Sequence, residues 1–165
     1  MYIKNIMLAN YRNYESLSLE LSKNVNVFIG ANGSGKSSIL EAIGILSAAM
    51  SDRVNNNALQ RKGIRLSTSA LYKSKFSSLK MEGATVDFNI EWERLDSQYS
   101  YSAYLAVPKE DDSWKYFAES VLKNDESVFG RSNRSAAQTN NKVGYYALSE
   151  QLATEEYIDF LKEYE

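Results

Sequence analysis

The sequence predicts an α/β fold, and three patterns within its 165 residues predict it. A short apolar run, Val25-Asn26-Val27-Phe28-Ile29, ends in a loop that is half glycine, Gly30-Ala31-Asn32-Gly33-Ser34-Gly35, and the loop opens into a stretch with helical spacing. Ahead of the run, two stretches alternate apolar and polar residues as half-buried strands do. From Thr85 the period of two returns and persists to Arg131.

Each element follows from its local pattern. Ile3 to Asn10 reads as a strand, Tyr11-Arg12-Asn13-Tyr14 as a connection, and Leu17, Leu19 and Leu21 as the apolar face of a second strand, together an antiparallel hairpin. Residues 25–29 have the apolar continuity of a buried strand. From Lys36 to Met50, Ile39, Leu40, Ile43, Leu46 and Met50 recur at helical spacings, and Ala42, Ile45, Ala48 and Ala49 leave little polar face. The helix is therefore expected to be largely buried. Asn55-Asn56-Asn57 marks or follows its end. Residues 53–80 carry seven Lys or Arg and no acid, and are expected to form a loop with one short helix.

In the last half, Val86, Phe88, Ile90 and Trp92 alternate with Asp87, Asn89, Glu91 and Glu93. A turn is expected at Asp96-Ser97-Gln98, and Tyr99 to Val107 forms the returning strand, closed by Pro108. Lys115 to Lys123 and Glu126 to Arg131 form two more strands joined by Asn124-Asp125. The result is an antiparallel meander with one wet face. Residues 132–144, rich in Ser and Asn, are expected to be mobile, and Leu148, Leu152, Ile158 and Leu161 mark a C-terminal amphipathic helix. The expected organisation is a single unit. Residues 1–50 hold the hairpin, loop and helix, 51–84 a basic insert, 85–131 the antiparallel β-subdomain and 145–165 the last helix.

Composition narrows the chemistry. With 44% hydrophobic and 24% charged residues, the chain has the mix of a globular protein. No apolar run approaches the roughly eighteen residues of a spanning helix, and the N-terminus has no signal-peptide pattern. A cytoplasmic location without membrane association is the expectation. There is no Cys and no His. Disulfide frameworks, Cys/His zinc sites and histidine bases are excluded, leaving carboxylates, Lys, Ser/Thr, backbone amides or a bound metal. Charge is uneven: residues 1–80 hold 11 Lys and Arg against 4 Asp and Glu, and residues 81–165 hold 8 against 17. The basic part suits phosphates, or else the two parts attract each other.

The glycine loop continues into Lys36-Ser37, so that residues 30–37 fit G-x-x-x-x-G-K-[ST]. A loop that wraps a phosphate must turn its amides inward, through backbone angles and close approaches that glycine permits. The following helix points its positive end at the anion. Lys36 would reach the β- and γ-phosphates of a nucleotide, and the Ser37 hydroxyl would hold Mg²⁺. The context separates this loop from other phosphate-loop enzymes. Small-molecule kinases open with a single strand, whereas a hairpin comes first here. A GTPase base reader needs an Asp that Asn141-Lys142-Val143-Gly144 lacks.

The residues around the loop are also specific. Asn10-Tyr11-Arg12-Asn13-Tyr14, followed by Gly30-Ala31-Asn32-Gly33-Ser34-Gly35-Lys36-Ser37-Ser38-Ile39-Leu40-Glu41-Ala42-Ile43, resembles the start of an ABC-type ATPase head. The resemblance is to the P-loop NTPase branch that holds RecF, SMC proteins and OLD-type AAA ATPases, and it covers residues 1–45. Trp92-Glu93-Arg94 is similar to a segment of anti-phage defence ATPases. The resemblance implies an N-terminal lobe with a buried helix after the P-loop and an antiparallel β-meander. It implies that Gly30, Ala31, Asn32, Gly33, Ser34, Gly35, Lys36, Ser37 and Ser38 bind ATP, with Lys36 catalytic and Ser37 on Mg²⁺. Arg12 and Asn13 would lie beside the nucleotide. Tyr11 or Tyr14 would stack on adenine or anchor the hairpin.

Such a head also needs a Walker B strand ending in Asp-Glu, an L-S-G-G-Q signature, a Q-loop glutamine and a switch histidine. The sequence has no Walker B run; Ile158-Asp159 follows too little apolar sequence. Leu148-Ser149-Glu150-Gln151 lacks glycine, and Gln138 and Gln151 are the Q-loop candidates. The expectation is the first lobe of a longer head, inactive as 165 residues alone. With its other lobe and a second head, as a homodimer, it would hydrolyse ATP to drive DNA repair, chromosome handling or anti-phage defence, with a nuclease or effector partner. Two alternatives are a nucleotide-sensing module that does not hydrolyse, and a nucleic-acid-binding module whose segment 53–80 contacts DNA phosphates through Arg61, Lys62, Lys73 and Lys75.

Overall fold

The computed structural model describes residues 1–76, 85–109, 113–132 and 141–145. The hairpin forms as its alternation dictates: β1 (Tyr2–Tyr11) pairs antiparallel with β2 (Tyr14–Glu20), with Leu8 opposite Leu17 and Ile6 opposite Leu19. Arg12 and Asn13 make the tight turn, and Arg12 takes a positive φ of 49°.

The first helix, α1 (Lys36–Ser51), runs the predicted length and buries Ile39, Ala42, Ile45, Leu46, Ala48 and Ala49. Leu40 departs from the expected apolar burial and is 61% exposed. Two short helices follow instead of the one expected, α2 (Asn56–Arg61) and α3 (Ser69–Tyr72). The Asn55 side chain caps α2 by accepting from the Ala58 N–H, the role its residue type favours at a helix start.

The meander comprises β3 (Val86–Arg94), β4 (Ser97–Ala106), β5 (Lys115–Lys123) and β6 (Glu126–Arg131). Its first turn lies at Leu95-Asp96, one residue before the expected place, and both residues have positive φ. The hairpin and the meander are one sheet. β1 pairs with β3, Ile6 opposite Ile90 and Leu8 opposite Phe88, which gives a six-stranded antiparallel order β2-β1-β3-β4-β5-β6. Helix α1 packs on β3 and β4. The core holds Ile6, Leu8, Phe88, Trp92, Tyr101 and Leu105 from the sheet together with Ile39, Ile45 and Leu46 from the helix.

The structure corrects two expectations. Residues 25–29 have strand-like apolarity but form no strand, and Val25, Val27 and Ile29 are 76%, 73% and 91% exposed. A strand is completed by a ladder partner, and no described strand pairs with this run. Within the segment 132–144, expected to be mobile, Val143 is buried, and the Gly144 N–H donates to the Asp52 carbonyl at the end of α1. A Cβ on Gly144 would meet the Ala49 carbonyl oxygen, so glycine permits this contact. The C-terminal helix, Gln138, Gln151 and the segment 148–151 lie outside the described residues.

Candidate functional site

The glycine loop takes the shape its residue types allow. Gly33 and Gly35 have φ of +82° and +97°, in the left-handed region that favours glycine. Gly35 is the N-cap of α1, and no side chain caps the helix there. No side chain competes for the amides at the start of α1, which lie at the positive end of a sixteen-residue helix dipole. No acidic residue sits in that first turn to compete. The Ser38 N–H donates to the Gly35 carbonyl (2.8 Å), and the Ser34 N–H to that of Ala31 (3.2 Å).

Lys36 folds over the loop. Its ammonium donates to the carbonyls of Gly30 and Ala31, both at 2.8 Å, and to Ser34 Oγ at 3.4 Å. Three loop oxygens thus hold one positive charge at the start of the helix. Asn13, from the hairpin turn, donates its Nδ2 to the Gly33 carbonyl (2.6 Å), which ties β1–β2 to the tip of the loop. Tyr14 supports the loop from beneath: a Cβ on Gly35 would strike its hydroxyl. Burial raises the Tyr14 phenol above its ordinary value.

A cavity of about 610 Å³ opens on this loop. Asn32, Gly33, Gly35, Lys36, Ser37 and Ser38 form one wall, with Arg12 and Asn13 beside them. Gly30, Ala31 and Ser34 do not line it; they hold Lys36 instead. Residues that the sequence placed in the basic insert also line it: Arg65, Leu71, Lys73, Lys75 and Phe76. The insert reaches the site because its backbone docks on the end of β1. Arg12 N–H donates to the Tyr72 carbonyl (2.9 Å), Ser74 N–H to that of Asn10 (3.2 Å), and Lys73 bridges Tyr11.

Arg12 lines the cavity, but its guanidinium is largely committed to protein. Nε lies 2.9 Å from Glu41 Oε2, Nη1 donates to Ser67 Oγ and Nη2 to the Arg65 carbonyl. Its plane sits 4.9 Å from the Tyr72 ring centroid. Arg12 therefore locks the hairpin turn, α1 and the insert together, with Glu41 as the shared anion. Arg65 Nε binds the other oxygen of Glu41 at 2.6 Å, although the Arg65 side chain is 66% exposed. The hydrogen bond to Glu41 raises the Arg65 pKa further, so its charge is permanent. Tyr11 is fully buried against Phe88, which makes it an anchor of the hairpin and removes it as a stacking surface.

Sequence reasoning missed Glu41, Arg65, Lys73, Lys75, Leu71 and Phe76 as parts of this site. The signal available was the run of cations without acids in residues 53–80, which the structure divides. Arg65, Lys73 and Lys75 share the cavity with the phosphate loop, whereas Lys62 donates to Ser47 Oγ and Arg53 pairs with Asp52. Among the described residues no cluster of three or more carboxylates could hold a metal, and no helix is long and apolar enough to cross a membrane.

Comparison with known proteins places the arrangement. The profile of a family described as the AAA ATPase domain matches residues 1–163. The DNA replication and repair protein RecF of Clostridium beijerinckii is 41% identical over 90 residues, which are 54% of this chain and 24% of that protein. RecF of Clostridium perfringens is 54% identical over 57 residues, 34% of this chain and 16% of that protein. The chain thus spans about a quarter or less of these two RecF proteins. A solved structure of the recombination mediator protein RecF with ATP, in the RecFOR pathway, covers 82% of this chain and 30% of its own at 21% identity, with a TM-score of 0.41.

Proposed function

This chain belongs to the AAA ATPase domain family, and from that premise we propose that it carries the phosphate-binding half of an ATP site. The observation that carries the reading is one cavity in which the uncapped start of α1, Lys36 and Ser37 meet Arg65, Lys73 and Lys75. Four cations and a helix N-terminus facing one space suit a polyphosphate. In this reading the loop amides of residues 30–38 receive the phosphates. Lys36 exchanges loop carbonyls for the β- and γ-phosphate oxygens, and Asn13 keeps the loop tip in register.

The residues fit Mg²⁺ as a companion of the nucleotide. Ser37 offers a hard hydroxyl oxygen beside Lys36, and no carboxylate cluster among the described residues would hold the ion by itself. Magnesium commonly keeps waters and substrate phosphates as most of its ligands, which matches one serine. When bound, it would neutralise charge on the phosphates. Ser37 would supply one ligand to it.

Hydrolysis needs a carboxylate to orient the attacking water. Glu41 is the carboxylate nearest along α1, one turn past Ser37, but Arg12 and Arg65 hold its two oxygens. We therefore assign it to positioning and place the water-orienting carboxylates on a further lobe, with a second, identical head completing the site. The exposed run Val25, Val27 and Ile29 supports an incomplete head, because three apolar side chains at alternate positions are what a neighbouring strand would cover. The likeness to a DNA replication and repair protein supports work on DNA, with anti-phage defence as a narrower version of the same reading and the cytoplasm as its setting. The division of the basic insert favours nucleotide over DNA as the ligand of Lys73 and Lys75.

Titration calorimetry of ATP into the chain and its Lys36→Ala form tests this. Binding to the first and none to the second is expected, with negligible phosphate release by either. Equal affinity in the two forms overturns the P-loop reading. Lys36-dependent turnover by these 165 residues alone overturns the assignment of the catalytic carboxylates elsewhere.

A further inference from the structure

Phe76 stands out among the residues around the phosphate loop. Phenylalanine is a core residue by preference, and yet this ring is 72% exposed while lining a cavity whose other walls are polar and cationic. Leu71, 48% exposed, lines the same space. Both belong to the basic insert, which lines the cavity together with the loop. The chain is held there by local bonds: the Phe76 N–H donates to Ser74 Oγ (3.2 Å), and the Ser74 N–H is fixed to Asn10 at the end of β1.

The other aromatic side chains close to the loop are otherwise engaged. Tyr11 and Tyr72 are buried, and Tyr14 lies beneath Gly35. An apolar ledge remains, formed by one flat ring and one aliphatic chain, with Lys73 and Lys75 lining the same cavity. A polyphosphate alone would gain nothing from such a ledge. A nucleotide carries a flat, weakly polar ring system at one end of its phosphate chain and would use the ledge as well as the cations.

Resting on the ATP reading above, we infer that Phe76 and Leu71 form the seat of the nucleobase, with Phe76 stacking on its face and Lys73 and Lys75 flanking the ribose and α-phosphate. Stacking reads the π-face that every base has, so the seat accepts purines without telling adenine from guanine. Discrimination between ATP and GTP is accordingly weak in this chain.

Binding of ATP and of inorganic tripolyphosphate, measured side by side by calorimetry, tests the seat, because tripolyphosphate shares the phosphates and lacks the base. Phe76→Ala is expected to weaken ATP by roughly five- to 150-fold, the range that loss of one stacked base implies, and to leave tripolyphosphate unchanged. Phe76→Trp is expected to retain ATP affinity and to show indole quenching by ATP but not by tripolyphosphate. If Phe76→Ala weakens both ligands alike, or neither, the base seat is wrong while the phosphate loop stands. If the unaltered chain binds neither ligand, the phosphate-loop reading falls and the base seat with it.

Discussion

At the scale of single residues the site depends on where a side chain is forbidden as much as on where one is present. Gly35 combines a φ of +97° with a Tyr14 hydroxyl lying where a Cβ would go. Gly35→Ala therefore meets both backbone strain and a clash, and we expect a loss of about 1–3 kcal/mol in a urea titration together with loss of ATP binding. Adding Tyr14→Ala removes the clash but not the strain, so only part of the stability should return. Full recovery would show that φ at Gly35 is not constrained. The glycines, Lys36 and Ser37 were legible in the sequence because a phosphate loop demands those types at fixed spacing. Glu41 was not. Its carboxylate sits on the apolar α1, and its meaning comes from Arg12, twenty-nine positions earlier, and Arg65, twenty-four later. Arg12 was expected beside the nucleotide and does line the cavity, but what it chiefly does there is bind Glu41, Ser67 and the Arg65 carbonyl.

At the scale of elements, local pairings could be read and distant ones could not. In the meander β3 joins β4 and β5 joins β6 through two-residue turns, so period-two alternation sufficed to place these strands. The edge-to-edge joining of β1 with β3 pairs Ile6 with Ile90 across the whole loop, helix and insert, and alternation says nothing about partner choice. The run 25–29 shows the opposite failure: its apolarity was read correctly, but apolarity does not supply a ladder. The same logic governs the junction between the meander and α1. Glu119, fully buried, accepts from Tyr101 Oη (2.6 Å) and pairs with Arg131 (2.7 Å), while Arg131 Nη2 donates to the Val143 carbonyl and Tyr116 Oη to that of Ala49. Buried pairs are strongly destabilising to break from one side, because the remaining charge is stranded. Arg131→Met should cost about 3–5 kcal/mol by urea denaturation. Glu119→Gln in the same chain should restore much of that, since the amide still accepts from Tyr101. Absence of any recovery would locate the cost in the lost packing of Arg131 on Tyr116, 4.6 Å away, rather than in charge.

At the scale of the whole molecule the core is built on buried phenols, and this sets how the fold responds to alkali. Tyr11, Tyr101 and Tyr116 are each fully buried or nearly so. Burial pushes the Tyr11 phenol from 10.0 up to about 12, partly offset by its bond from Arg12. Burial likewise holds Tyr101 and Tyr116 well above the ordinary value, reinforced by the Glu119 charge nearby. A folded-state pKa above the unfolded one means that the folded chain binds the proton more tightly. The stability this gives is complete below about pH 10 and is lost as pH rises through about 12. A difference of about two units at Tyr11 corresponds to about 3 kcal/mol. Alkaline unfolding should therefore begin near pH 10, with the phenolate absorbance of the buried rings appearing together with loss of circular dichroism rather than before it. Tyr11→Phe should shift that transition upward, since the ring still packs on Phe88 but no longer ionises. A transition that stays in place in Tyr11→Phe would mean that Tyr101 and Tyr116, around Glu119, set the alkaline limit instead, and Tyr101→Phe would then be the variant that moves it.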